Sequence, residues 1–430
     1  SKELTKFIFH DERVVVSQST YKQVKKHIYA NSLFSLFKPS ANCKNINGGR
    51  DFKWDQNREA FATANGFVDM RTGNFMHSHP SQFTKAKVVS MYDPDHVQWV
   101  TTGIGPSPCP IFESFVKEIC GDSDELVLLK QMFIGYSLSG LGNMGKALIL
   151  YGPEGRNGKS TFIKVMKAAT GTGNKIACNH VKSIFIKQRN SLGRGGNSHA
   201  SHIVDLLDKR LVFLSEFGKG DIVDPPSFKK LTGSDSIRER AAHDKGETYI
   251  PVTWSFICET NILPYLDPSD QPSWERIFLI KYTQRFVSDP DPNNPNERKV
   301  KIGIEEDILK NELPGVLAWI LRGYIMFLDI KEKHGCIPTP SIVKDYIKEW
   351  RYGLDHIGNF LNSDFIDTNA VGYMTKTSDI YQCFVRWYQE ARNKNTNMSL
   401  DSFSKVFKKR HGDRQTNVGG YKYYKNFKEK

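Results

Sequence analysis

Hydrophobic and polar positions along this chain follow two periods, and the switches between them outline its elements. The first hundred residues mix short β-like runs with turn signals such as Asn65-Gly66 and Thr72-Gly73-Asn74. From Ile111 to Tyr136 the pattern becomes helical, with Phe112, Phe115, Val116 and Ile119 on one face. A buried-strand run follows at Ala147–Tyr151, and two further apolar strands are expected at Leu211–Leu214 and Val252–Cys258. Strands separated by helical stretches predict an α/β domain with a largely parallel sheet. Asp289 to Asn296 (DPDPNNPN) cannot hold regular structure, and Ile304 to Leu328 returns to a helical pattern.

Pro338 and Pro340 mark a linker, and a compact basic module follows. Ile342, Val343, Tyr346, Ile347 and Trp350 recur at helical spacing, as do Ile380, Tyr381, Phe384, Val385 and Tyr388. A third helix runs from Leu400 with Phe403, Val406 and Phe407 on one face and Lys405, Lys408, Lys409 and Arg410 outside it. Val418-Gly419-Gly420-Tyr421 is a hairpin turn signal. Three helices and a hairpin read as a winged-helix-like domain, whose apolar stripes are core. Its basic helix and tail (Lys422, Lys425, Lys428, Lys430) form either a DNA surface or a solvated one.

At 430 residues the chain exceeds what one core usually serves, so two to four domains are expected. Its 39% hydrophobic and 12% aromatic residues suffice for real cores. Lys and Arg outnumber Asp and Glu by 60 to 47, a surplus that favours an anionic polymer as partner. The seven scattered cysteines include no CxxC pair, which argues against a zinc site or disulfide framework and for reduced thiols in a cytoplasmic setting. No uninterrupted apolar run reaches the ~20 residues needed to span a bilayer. The best candidate, Gly315 to Leu328, is broken by Arg322, so a soluble protein without a membrane partner is expected. The chain opens Ser1-Lys2 without a methionine, as a segment excised from a longer protein would.

The strongest chemical signal is Gly152-Pro153-Glu154-Gly155-Arg156-Asn157-Gly158-Lys159-Ser160-Thr161, entered directly from the strand at Ala147–Tyr151. A strand, a Gly-rich loop ending in Gly-Lys-Ser and a following helix make the P-loop arrangement. Loop N–H groups and the helix N-terminus present positive dipole ends to phosphate oxygens. Gly158 lets the backbone approach closely, Lys159 reaches the β/γ-phosphates, and the Ser160 hydroxyl ligates Mg²⁺. The usual first glycine, six residues before the lysine, is here Pro153, with Gly152 one step earlier. ATP and Mg²⁺ are the expected ligands.

A P-loop needs a carboxylate at the end of a neighbouring apolar strand. Lys209 to Glu216 (KRLVFLSE) supplies Glu216, to polarise the attacking water or hold Mg²⁺ through water. Where many such motors carry an Asp-Glu pair, Ser215 stands in the first place, so both roles are expected of Glu216. The third strand ends in Glu259-Thr260-Asn261, and Asn261 suits a γ-phosphate sensor. Arg276 precedes the apolar run Ile277–Ile280, where oligomeric P-loop motors project an arginine finger into a neighbour's site.

With these elements in this order the sequence resembles the superfamily 3 helicases, in particular the poxvirus-type helicase-primases and the primase-helicases of phages and plasmids. The likeness rests on GRNGKST at 155–161, KRLVFLSE at 209–216, KKLTGSDSIRER at 229–240, ETN at 259–261 and WERIFLI at 274–280. ANGFVDMRTGNF at 64–75, MYDPDH at 91–96 and DILKNELPGVLAWILRGY at 307–324 extend it over most of the chain. The resemblance implies an AAA+-like ATPase that assembles as a homo-hexamer and threads single-stranded DNA, unwinding forked DNA during viral, phage or plasmid DNA replication. It implies a hairpin lining the pore at about Arg238 to Tyr249, with His243 and Lys245 at its tip and Arg238 and Arg240 at its base. Such a cation neutralises phosphate and such an imidazole hydrogen-bonds it. It also implies that a primase domain often sits upstream in the full-length protein; residues 1–110 show no primase motif with paired catalytic carboxylates, as a chain excised from the C-terminal portion would.

The expected organisation is an α+β N-terminal domain (1–110), a helical collar or linker (111–145), an AAA+-like ATPase domain (146–330) and the winged-helix-like basic domain (340–430). Two other readings stay open on the residues alone. One is a non-helicase AAA+ ATPase, the other an origin-binding protein whose ATPase is an assembly switch.

Overall fold

The computed structural model describes residues 57–76, 86–142, 144–172, 176–187, 202–233, 236–239 and 248–430. Strands β1 (Ala60–Ala62), β2 (Phe67–Asp69) and β3 (Phe75–Met76) form an antiparallel sheet. Asn65-Gly66 makes the first of its turns, closed by Thr63 N–H donating to Gly66 O at 2.8 Å. Helices α1 (Val97–Thr102), α2 (Pro110–Ile119) and α3 (Asp124–Ser139) follow. The helical stretch read as continuous breaks between α2 and α3, where Gly121 and Asp122 are both left-handed.

The central sheet has five strands, β4 (Ala147–Tyr151), β5 (Ala177–His180), β6 (Leu211–Leu214), β9 (Ser255–Thr260) and β10 (Ile277–Lys281). Their order is β10-β4-β9-β6-β5, and every pairing is parallel. All five carboxyl ends therefore gather at one edge of the sheet. Strand β9 separates β4 from β6, so the strand leading to Glu216 is not the immediate neighbour of the phosphate-loop strand. Helix α4 (Lys159–Thr170) leaves β4 through the glycine loop, and α5 (Pro225–Thr232) follows β6.

Between α5 and β9, strands β7 (Ile237–Glu239) and β8 (Thr248–Ile250) pair antiparallel, with Arg238 opposite Tyr249. Arg240, His243 and Lys245 lie outside the described residues, and for Arg238 only the backbone is described. A short helix α6 (Gln271–Trp274) precedes β10, and β11 (Arg285–Val287) pairs with β12 (Glu297–Lys299) across the Pro/Asn loop.

Helices α7 (Ile304–Asn311) and α8 (Leu313–His334) close the domain. Glu312, between them, accepts from the N–H groups of Ile111 and Phe112 at 2.9 and 2.7 Å, so a carboxylate about 200 residues away caps α2. Among the described residues α8 is the one helix long and apolar enough to cross a bilayer, and the fold encloses much of it in the core instead. It packs along α3 so closely that a Cβ on Gly135 would lie 2.3 Å from Tyr324 N, and one on Gly323 2.1 Å from Gln131 O. Arg322, which interrupts the apolar run, donates to Thr101 O at 2.9 Å and thereby ties α8 to α1. The N-terminal sheet shares this core through Phe61, Val68 and Met70.

Helix α9 (Ser341–Leu354) departs from the sequence-based grouping with the C-terminal module. It packs on β10, burying Val343 and Trp350 in the cores on the two sides of the sheet; Trp350 meets Trp274 at a 4.9 Å ring separation. An amphipathic stripe states that a helix has a partner without stating which one. The C-terminal module has its own core from Ile357 to Phe427. It contains α10 (His356–Leu361), α11 (Thr377–Arg392) and α12 (Leu400–His411). Strands β13 (Ile366–Asp367), β14 (Met374–Lys376), β15 (Gln415–Val418), β16 (Tyr421–Lys425) and β17 (Lys428–Glu429) complete it. The Gly419-Gly420 turn joins β15 to β16, both glycines at positive φ, as a two-residue hairpin demands.

Candidate functional site

The loop after β4 assembles the densest set of polar contacts at the carboxyl edge of the sheet. Gly152 N–H donates to Thr260 O at 3.0 Å, which fastens the loop entrance to the tip of β9. A Cβ at Gly152 would lie 2.0 Å from Asn157 Nδ2 and 2.6 Å from Lys159 Nζ. The residue before Pro153 thus provides the missing side chain that the usual first glycine would, and the shifted spacing is accommodated. Gly158 has φ 78°, and a Cβ there would strike Ile119 of α2 at 2.5 Å. It opens α4 and accepts the N–H of Phe162 at 3.0 Å.

Lys159 is 3% exposed, and its ammonium donates to Gly152 O at 3.2 Å, Asn157 Oδ1 at 2.9 Å and Asn261 Oδ1 at 2.9 Å. Burial holds its pKa below the ordinary lysine value, while Glu259 and, more weakly, Glu216 pull it back up. Asn157, 4% exposed, donates in turn to Glu154 O. The lysine is therefore pre-aimed across the mouth of the loop by three acceptors from the loop and the adjoining strand.

Ser160 Oγ donates to Glu259 Oε2 at 3.0 Å. Glu216 stands exposed just beyond the end of β6. Ser215 faces elsewhere, since its hydroxyl accepts the backbone N–H of Lys182 at 3.0 Å. Thr161 donates to Glu305 of α7 at 3.2 Å, and Lys164 pairs with the same carboxylate at 3.0 Å. Ser160, Glu216 and Glu259 offer hard oxygen donors, the set that suits Mg²⁺.

Beside the loop a cavity of about 390 Å³ is lined by Arg156, Gly158 and Thr161 together with Phe115, Phe286, Val300 and Ile304. Phe286 N–H donates to Arg156 O at 2.8 Å, so the strand carrying this aromatic ring is pinned to the phosphate loop. The Lys301–Glu118 ion pair also borders it.

Of the residues expected to act together, the fold gathers Gly152 through Thr161, Glu216 and Asn261 at one edge. Arg276 stands at the opposite edge. It immediately precedes β10, whose Ile277 pairs with Ala147 while Lys281 pairs with Tyr151 beside the loop. Its guanidinium donates to Thr232 O at 3.3 Å, at the end of α5. One strand length, ~16 Å at 3.3 Å per residue, separates it from the phosphate loop of its own chain.

Sequence reasoning passed over Glu259, although it was visible in Glu259-Thr260-Asn261. It also missed the aromatic cavity, because Phe115, Phe286 and Ile304 are far apart in sequence and carry no motif. In the C-terminal module, Lys409 pairs with Asp267 at 3.2 Å, Arg410 with Asp355 at 2.6 Å and Lys405 with Asp401 at 2.7 Å. Much of the basic face of α12 is thus engaged within the chain.

One further group of metal-ligand type occurs among the described residues, His180, His202 and Asp205. Both ring nitrogens of His180 already face carbonyl oxygens, of Val181 and His202 at 3.3 and 3.0 Å. All six cysteines among the described residues are free thiols.

No family model matches the sequence. Over 94% of its length the chain is 23% identical to the proposed helicase 184R of Invertebrate iridescent virus 6, of which it covers 41%. It is 24% identical over 57% of its length to the proposed helicase 121R of Invertebrate iridescent virus 3, covering 27% of that protein. It is 19% identical over 59% of its length to the proposed primase C962R of African swine fever virus, covering 26% of it. The chain is thus similar to viral proteins named as helicases and primases. It spans about two fifths of the length of the first of these relatives. Among solved structures, the apo C-terminal region of NrS-1 aligns over 75% of this chain and 76% of that one, at 12% identity and a TM-score of 0.38, too loose a superposition to bear on the fold.

Proposed function

We propose that this chain is the ATP-driven motor of a viral replication helicase, an AAA+-like ring of identical subunits, expected to be a hexamer, that moves along single-stranded DNA and opens forked DNA. The observation that carries the reading is the Lys159 ammonium held by Gly152, Asn157 and Asn261 at the carboxyl edge of a parallel sheet. A buried lysine aimed by neutral acceptors at the N-terminus of a helix suits one ligand class above others, a polyphosphate. The cavity walled by Phe115 and Phe286 also borders the loop at Arg156, Gly158 and Thr161, which supports seating the attached base there.

In this reading the loop N–H groups and Lys159 bind the phosphates, and Phe286 stacks on the base. Glu216 polarises the attacking water, and Asn261 holds that water in line with the γ-phosphate. Mg²⁺, bound through the Ser160 hydroxyl with Glu216 nearby, would neutralise charge on the β- and γ-oxygens. Arg276, a strand length from its own loop, acts on a neighbouring subunit's nucleotide. The β7–β8 ladder supports a DNA-gripping hairpin at about Arg238 to Tyr249, in which Arg238, Arg240, His243 and Lys245 are proposed to act on the DNA. The C-terminal core, with three helices and the β14-β16-β15 sheet, supports a winged-helix-like module. The share of the viral relatives that this chain spans is consistent with a primase domain elsewhere in the full-length protein.

The test is ATP hydrolysis with and without single-stranded DNA, together with unwinding of a forked duplex. Lys159→Ala is expected to lose nucleotide binding. Glu216→Gln is expected to bind ATP and turn it over slowly, and unwinding is expected to fail in both. Wild-type hydrolysis that ignores DNA and opens no fork would favour the assembly-switch reading instead.

A further inference from the structure

Glu259 occupies a place that the motif pattern does not assign. It sits at the tip of β9, paired in register with Leu150 of the phosphate-loop strand, one inter-strand spacing (about 4.8 Å) away. Glu216 follows β6, two spacings away. Four buried residues, Ser255 to Cys258, precede Glu259 in β9 and buried Thr260 follows it, so a half-buried carboxylate interrupts an otherwise buried strand. Among the described residues no lysine or arginine forms an ion pair with it. Its hydrogen-bond donor is the Ser160 hydroxyl of the phosphate loop, at 3.0 Å. The position that would carry the other acidic residue of an Asp-Glu pair holds Ser215, turned away to bond Lys182 N–H.

We propose that Glu259 is the metal-side carboxylate of this site, fixing the Ser160 hydroxyl and supplying, through bound water, the negative charge that holds Mg²⁺ against the nucleotide phosphates. This rests on the nucleotide reading of the phosphate loop and divides the labour within it. Glu259 serves the metal from the strand beside the loop, while Glu216, one strand further out, is left free to act on water. A half-buried carboxylate bonded to the hydroxyl that the nucleotide reading assigns to the metal is placed to add its charge to that of the phosphates in holding a divalent cation.

The experiment measures the affinity of a fluorescent ATP analogue for the full chain in Mg²⁺ and in EDTA, for wild type, Glu259→Gln and Glu259→Asp. Mn²⁺ binding in the presence of a non-hydrolysable ATP analogue, followed by electron paramagnetic resonance, gives a direct metal readout. Carboxylates that support a metal site typically contribute 10–100-fold to metal affinity, so Glu259→Gln should cut the Mg²⁺-dependent gain by roughly tenfold or more. Its affinity in EDTA should be unchanged, its Mn²⁺ binding should weaken, and Glu259→Asp should recover part of both. An undiminished Mg²⁺ gain in Glu259→Gln would overturn the assignment. So would equal losses in Mg²⁺ and EDTA, because a group acting on the metal does not weaken metal-free binding. A wild-type chain that binds no nucleotide in either condition would sink the reading of the phosphate loop itself, and this assignment with it.

Discussion

The Lys159 ammonium and the Asn261 carboxamide oxygen lie 2.9 Å apart, a contact spanning 102 positions of sequence. It joins the phosphate loop to the tip of the neighbouring strand. The lysine keeps two further acceptors, Gly152 O and Asn157 Oδ1, if Asn261 is lost. Asn261→Ala should therefore bind ATP within a few-fold of wild type. Its kcat should fall about 10²-fold, the usual loss when one pre-aimed polar group is removed from a reaction site. Steady-state kinetics beside a binding titration check this; a pure KM effect would reduce Asn261 to an anchor for the lysine.

Phe286 gives the cavity an aromatic wall that can contact a base without reaching the phosphates. Phe286→Ala should weaken ATP binding by about 1–3 kcal/mol, the usual worth of a base–aromatic stack, or roughly ten- to a hundredfold. Tripolyphosphate should compete as well as before. Competition titrations with ATP and tripolyphosphate separate the two; equal weakening of both would place the base elsewhere.

The Arg276 guanidinium bonds Thr232 O, across the sheet from its own phosphate loop. Arg276→Ala should bind ATP normally and hydrolyse it about 10³-fold or more slowly, as for other arginine fingers. Mixed with Lys159→Ala under conditions where subunits exchange, it should regain activity, because an intact loop can then face an intact arginine. Activity that stays at the sum of the two parents would assign Arg276 to the α5 contact alone.

Lys130 is fully buried on α3, 3.0 Å from the Tyr282 hydroxyl and 4.0 Å from the centre of the Phe162 ring, with no carboxylate bonded to it among the described residues. Burial drives its pKa below that of an exposed lysine, and the Cys120 thiol, 3.5 Å away, pulls weakly in the other direction. The unfolded chain then binds the extra proton between the folded pKa and the ordinary value near ~10.4. The charged amine therefore penalises folding below that window, and the penalty fades as pH rises through it. Lys130→Met should be more stable than wild type at neutral pH, on the order of 1 kcal/mol. That advantage should shrink at alkaline pH. Denaturant melts of both chains across the alkaline range test the sign; an advantage that grows with pH would contradict it.

The strand–loop–helix around Lys159 was legible in sequence because every part of it is local: an apolar run, a glycine turn and a helix follow one another without a break. Glu216 and Asn261 were legible for the same reason, each lying just past the end of an apolar strand. What escaped notice is set by lateral strand order. Nothing in the run Ser255–Thr260 says that β9 inserts between β4 and β6, and that insertion is what brings Glu259 to Ser160. Trp350 shows the same limit. Its stripe announced a buried face, and only the fold reveals that the face lies on the central parallel sheet beside Trp274. Arg240, His243 and Lys245 fall outside the described residues, and their roles rest on the sequence.

Gly135 and Gly323 let α3 and α8 meet backbone to backbone. Side chains between helices act as cushions, since a push on one helix can be taken up by a change of rotamer before it reaches the next. This crossing has no cushion. Slipping either helix along the other would drive a larger residue into main-chain atoms, so the two must travel as a single spine. That spine touches α4, the helix that begins at Lys159 and Ser160, and it is tied through Arg322 to α1 and through the Tyr324 hydroxyl, which donates to Glu59 beside β1, to the N-terminal strands. A force applied at the N-terminal strands therefore arrives at the phosphate loop almost undamped.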